Sequence, residues 1–131
     1  MEGLFVIQIS REQDAVTSYE YGCDLRRVFP WSGICDPVYW GGAIANVRPG
    51  EATTWDCHDE METFVLISGE GVMEIGEEAE PVTACDVILI PRNSRHRIRN
   101  ASDRLPLKFM SIYWDSPEAR RAILQSLAQQ K

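Results

Sequence analysis

With 131 residues, 44% of them hydrophobic and 25% charged, the chain is sized for one globular domain, residues 1–131, that buries roughly two-thirds of its unfolded surface. A net charge of −7 argues against nucleic acid or an anionic membrane surface as the main partner. No apolar run reaches the ~20 residues of a membrane span. The start, MEGLFVIQISREQ, has neither a basic opening nor a small-residue cleavage site, so a cytoplasmic protein is expected. The four cysteines, at 23, 35, 57 and 85, form no C-x-x-C pair and no zinc-finger spacing; they read as free thiols buried like small apolar groups.

Turn signals are frequent and the runs between them short and β-rich. Residues 4–9 are a candidate first strand, and residues 10–38 look mixed and irregular. Strand-like runs follow at 39–47, 62–68, 71–75, 86–90, 96–100 and 107–114. They are broken by RPG, SGEG, GEE, PRN and LP, which suggests a sandwich or small barrel. Only about 116–129 reads as helix. Asp115 or Ser116 can cap it, Pro117 suits its first turn, and Glu118 complements the positive dipole end. Ala119, Ile123, Leu124 and Leu127 form a narrow apolar stripe, predicting a helix packed outside the β-unit.

The segment TTWDCHDEMETF (residues 53–64) holds one of only two histidines. His58 and Glu62 have helical i, i+4 spacing, but the β-branched and aromatic neighbours predict strand, short acidic loop, strand. Alternation then puts Thr54, Asp56 and His58 on one face and Cys57 on the other. An antiparallel return would bring Glu62 near His58 and Asp56, with Phe64 sharing the parity of Glu62. The second histidine, His96, follows an apolar strand and a proline turn.

These residues resemble the cupin family. Gly50, Asp56, His58, Glu62 and Gly69 reproduce every interval of the first cupin motif, with Asp56 where the family has its first histidine. Cys85, Asp86, Pro91, Asn93, His96 and Asn100 fit the second, with Cys85 and Asn93 replacing glycines. The resemblance implies an all-β double-stranded β-helix, jelly-roll-like, with motifs at 50–69 and 85–100 and a C-terminal helix. It implies a divalent metal inside, Zn, Fe(II) or Mn, held by His58, Glu62, His96 and possibly Asp56. Two imidazoles and a carboxylate leave open positions on such an ion. Asp56 would either ligate, lowering the ion's Lewis acidity, or orient a histidine.

Around this set, Phe64 should sit beside the ion, and Tyr39 or Tyr113 could offer a hydroxyl as acid or base. Arg92 and Arg95, in the turn at the mouth, are candidates to hold a substrate carboxylate bidentately. Arg97 and Arg99 fall on the opposite strand face, and Asp59 and Glu60 form an acidic lip. The fold alone does not name a reaction. The expected function is a metalloenzyme acting on a small polar metabolite, with Glu62 and Tyr113 as catalytic candidates and either Lewis-acid or oxygen chemistry open to it. One alternative is a non-catalytic binding or sensor cupin. Another follows from residues 58–64 and 109–115, which are similar to cupin domains of hydrazine synthetases and imply a partner or domain of a system joining two amino-acid nitrogens. A homodimer is expected, with residues 4–9 pairing across a two-fold axis.

Overall fold

The computed structural model describes residues 6–35 and 39–130. Its strands are β1 (Ser18–Glu20), β2 (Cys23–Phe29), β3 (Trp40–Val47), β4 (Met61–Ser68), β5 (Glu70–Ile75), β6 (Glu78–Thr83), β7 (Val87–Ile90), β8 (His96–Asn100) and β9 (Leu107–Trp114), followed by the helix α1 (Pro117–Gln129). They form an antiparallel six-stranded sheet in the order β1-β2-β3-β9-β4-β7 and a three-stranded sheet in the order β6-β5-β8.

Alternation along the strands decides what faces inward. In β8, His96, Ile98 and Asn100 are buried while Arg97 and Arg99 point away, and in β9 Leu107, Phe109 and Ser111 are the buried set. The core joins both sheets: Val47, Phe64, Leu66 and Phe109 from the larger one meet Met73 and Ile98 from the smaller. The extended run before β4 is tied to β8 by single bridges, Ala52 to Arg99 and Asp56 to His96. Paired backbone bonds of 3.0 and 2.9 Å join Asp56 to His96. That tie sets Asp56 and His58 against the start of β8.

The motif glycines show why the turns hold. Gly69 has φ +96, and a Cβ there would stand 2.7 Å from the Pro106 carbonyl oxygen. At the two positions where glycines are replaced, Cys85 and Asn93 still adopt φ 76 and 62, so the left-handed turns survive with side chains in place. This is cheap for asparagine and costlier for cysteine. Asn100 clamps the loop that follows it, its amide donating to the carbonyls of Val47 at 3.1 Å and Leu105 at 2.8 Å.

Three expectations need correction. The region 10–38 is not wholly irregular: it holds β1 and β2, and β6 forms over Glu78–Thr83, where the sequence indicates no strand. Residues 6–9 lie outside any strand, with Val6 and Ile7 exposed; residues 4 and 5 fall outside the described residues. The helix begins where the caps indicate, the Ser116 hydroxyl accepting from the Ala119 amide at 3.1 Å. Its stripe is not covered, however, and Ile123, Leu124 and Leu127 remain exposed. Arg120, bonded to Asp59 at 2.9 Å, anchors its first turn instead.

Candidate metal centre and cavity

Between the two sheets lies a cavity of about 240 Å³. Thr54, Asp56 and His58 reach it from the bridged run, Glu62 and Phe64 from β4, and His96 from β8. Ligand atoms of Asp56, His58 and His96 all lie within 4.8 Å of one another. Glu62 joins them: its Oε1 is 3.0 Å from His58 Nε2 and 3.3 Å from His96 Nε2. The structure thus brings together the four residues that the sequence singled out as ligands. Phe64 stands edge-on to His96, ring centroids 6.4 Å apart. The four cysteines are free, but only Cys23 is buried; Cys35, Cys57 and Cys85 are exposed, against the expectation of buried thiols, because their side chains lie outside the packed core.

Protonation makes the arrangement informative. The Ser94 carbonyl can only accept, so His96 Nδ1, 2.8 Å away, must carry a hydrogen and donate it. In neutral His96 the other nitrogen, Nε2, is then a bare lone pair facing a carboxylate oxygen. Two acceptors at that distance need a proton or a cation between them. Burial pulls the His96 pKa down, but the hydrogen bonds to Glu62 and Ser94 and the charges of Glu62 and Asp56 prevail and raise it. Burial likewise pushes Glu62 up; hydrogen bonds with His96 and Ser111, together with the two imidazoles, overcome this and hold its carboxyl below the usual value. The Ser111 hydroxyl donates to Glu62 Oε2 at 2.5 Å and fixes the carboxylate's orientation. Among the described residues, the buried His58 Nδ1 has no hydrogen-bond partner. The donor set, two imidazoles and two carboxylates with no lysine or arginine among them, suits a divalent ion.

Tyr113, Tyr21, Glu60 and Arg27 also line the cavity. Burial pushes the Tyr113 phenol up; Arg27 opposes the shift and Glu60 and Glu62 reinforce it. Burial also raises the Glu60 carboxyl, against the pull of His58 and with the help of Glu62, Glu118 and Asp56. Arg27 is held by Glu20 through contacts of 2.5 and 2.9 Å. Arg92 and Arg95, the candidates for a substrate carboxylate, do not line the cavity. Arg92 is taken by Asp115 and, at 3.7 Å, by Asp59, while the Arg95 guanidinium lies 3.8 Å over the Trp55 ring. Tyr39 is exposed and lies outside this cavity too.

Sequence reasoning missed Arg27 and Ser111. Ser111 was reachable, because it shares parity with Phe109 and Tyr113 in a strand that was read correctly. Arg27 was not, because the sequence of β2 carries no clear strand alternation.

Residues 43–113 match the family model described as the cupin domain, and the chain belongs to the cupin family. A protein from Photorhabdus luminescens, plu4264, has a solved structure that is 32% identical, with a TM-score of 0.74 over 95% of this chain and 99% of that one. A cupin 2 conserved barrel domain protein from Salinispora arenicola superposes with a TM-score of 0.78 at 21% identity, covering 92% of this chain and 99% of its own. Protein SchB of Streptomyces halstedii is 34% identical over 61 residues, 46% of this chain. The chain spans only 44% of that relative's length. The fold is therefore the all-β cupin barrel with a C-terminal helix.

Proposed function

We propose that this cupin is a metalloenzyme that acts on a small polar metabolite beside a divalent ion held by His58, Glu62 and His96, with Asp56 as a fourth ligand. The observation that carries the reading is the facing pair of acceptors, Glu62 Oε1 and the lone-pair nitrogen of His96. A cation at that point satisfies both, and with them the second imidazole and the Asp56 carboxylate. A bound ion would supply Lewis acidity toward an oxygen of the metabolite.

The chain's own residues do the rest. Ser111 and the Ser94 carbonyl orient the ligands, as supporting hydrogen bonds do at metal sites. Tyr113, with its phenol raised above the ordinary value, keeps its proton at neutral pH and offers it to a metabolite oxygen. Phe64 and Phe109, ring centroids 4.2 Å apart, wall the inner end and exclude water. At about 240 Å³ the cavity falls below the ~300–1,000 Å³ of sites for drug-sized ligands, so the metabolite is small. A homodimer belongs to the same reading, with the exposed Val6, Ile7 and Ile9 meeting a second copy, and light scattering tests it.

Elemental analysis of the purified protein, with absorption spectra under anaerobic and aerobic conditions, tests the proposal. It expects one equivalent of a transition metal or zinc per chain. A protein that stays metal-free after incubation with Zn(II), Fe(II) and Mn(II) in turn would contradict it. Metal held without turnover of any small metabolite would favour a non-catalytic sensor.

A further inference from the structure

A second hollow, of about 320 Å³, lies between the first turn of α1 and the adjoining ends of β3 and β9. Its lining includes Trp40, Trp114, Tyr113, Glu60, Glu118 and Ala119. Glu60 and Tyr113 line the metal-side cavity as well, so these two side chains are a shared wall. Gly41 is what lets Tyr113 occupy it. A Cβ on Gly41 would come within 2.2 Å of the Tyr113 ring and 2.6 Å of its hydroxyl, so the ring lies directly on the bare backbone of β3.

The chemistry of this second hollow differs from that of the first. Four aromatic side chains, Tyr39, Trp40, Tyr113 and Trp114, line it, and the two carboxylates supply negative charge. Among the described residues, no cationic side chain lines it. Arg121 approaches Glu118 only to 3.7 Å, with both side chains well exposed, and Arg120 is bonded to Asp59 and Asp115. An anion would meet Glu60 and Glu118, and an uncharged apolar group would leave their charge unanswered. A compact organic cation answers the rings and the carboxylates together.

We propose that this groove is a subsite for an alkylammonium group, the cationic end of a metabolite whose polar end passes Glu60 and Tyr113 toward the histidines. The connection to the histidines rests on the metal reading; the cation subsite stands without it. Choline and its uncharged carbon isostere, 3,3-dimethylbutan-1-ol, are the probes, titrated onto the full chain by ligand-observed NMR.

Choline should bind saturably and at least about tenfold more tightly than the alcohol. Trp40→Leu should weaken choline several-fold. Because Trp40 also packs on Phe29, at 4.6 Å between centroids, the exposed Glu118→Gln provides a second variant that leaves the fold untouched. It should weaken choline and leave the alcohol unchanged. His96→Ala should lose metal yet keep choline, which separates a failure of the metal reading from a failure of this one. Equal affinity for the two probes, or choline binding indifferent to both groove substitutions, would overturn the proposal.

Discussion

Two charged clusters stand within a few residues of each other and are built on opposite rules. Outside the barrel, Asp59, Arg92, Asp115 and Arg120 form a closed quartet. Arg92 pairs with Asp115 and reaches Asp59 at 3.7 Å, while Arg120 meets Asp59 at 2.9 Å and Asp115 at 3.4 Å. Two cations match two anions, and the group staples the acidic loop, the proline turn and α1. Inside, Asp56, His58, Glu62 and His96 bring two carboxylates and two imidazoles together with no permanent cation. A balanced cluster is complete as it stands, whereas an acceptor-rich buried one is completed by what it binds. On the proposed reading this contrast would separate structural charges from functional ones, and Arg92, committed to the quartet, does not line the cavity.

The sharpest way to break the contrast is at its inner pivot. Glu62→Gln replaces the oxygen shared by both histidines with an amide and should weaken metal binding by more than the ~10–100-fold that loss of a supporting partner costs. Competition with a chromophoric chelator measures it. The thiols sharpen the same division. Cys23 faces the cavity, is 2% exposed, and burial pushes its pKa from 9.0 up to about 11. It should hold about 100-fold less thiolate than an unshifted cysteine and lag accordingly with a disulfide reagent at pH 8. Cys35, Cys57 and Cys85 are exposed and should react promptly. The sign for stability follows: the folded pKa is the higher, so the contribution of Cys23 is fully present below pH 9 and is lost as pH rises toward 11.

Asp56→Ala should cost about 10–100-fold in metal affinity, and parental affinity with normal turnover would make Asp56 a bystander. The smallest effect belongs to the quartet. Arg120→Ala should leave metal content unchanged and lower the melting temperature only modestly, since exposed pairs contribute little. The hydrogen bond from Arg92, then the charges of Arg92 and Arg120, hold Asp115 below its ordinary value. Its contribution is therefore present above about pH 4 and lost as pH falls through the depressed folded value. Thermal melts of parent and Arg120→Ala should converge on acidification.

The inner cluster was legible in the sequence because spacing and strand parity survive folding unchanged. Asp56 and His58 share a face of an extended run, and β8 and β9 form over the residues that the alternation indicated. β2 and β6 lack that signal. β2, Cys-Asp-Leu-Arg-Arg-Val-Phe, hides its alternation behind adjacent arginines. β6, Glu-Ala-Glu-Pro-Val-Thr, is an almost wholly exposed edge containing a proline, so its pairing with β5 comes from tertiary context. Residues 6–9 show the reverse, apolar enough for a strand yet unpaired. The roles of Arg92 and Arg95 were beyond sequence reach, because their partners Asp115 and Trp55 lie far along the chain.

The central claim is that the inner cluster exists to hold a cation and the outer one does not. Metal content per chain, measured after identical reconstitution and desalting, tests this most directly in the parent, His96→Ala and Arg92→Ala, with folding of each checked by circular dichroism. The account predicts about one ion in the parent and in Arg92→Ala, and little in a folded His96→Ala. Stoichiometric metal retained by His96→Ala would contradict it.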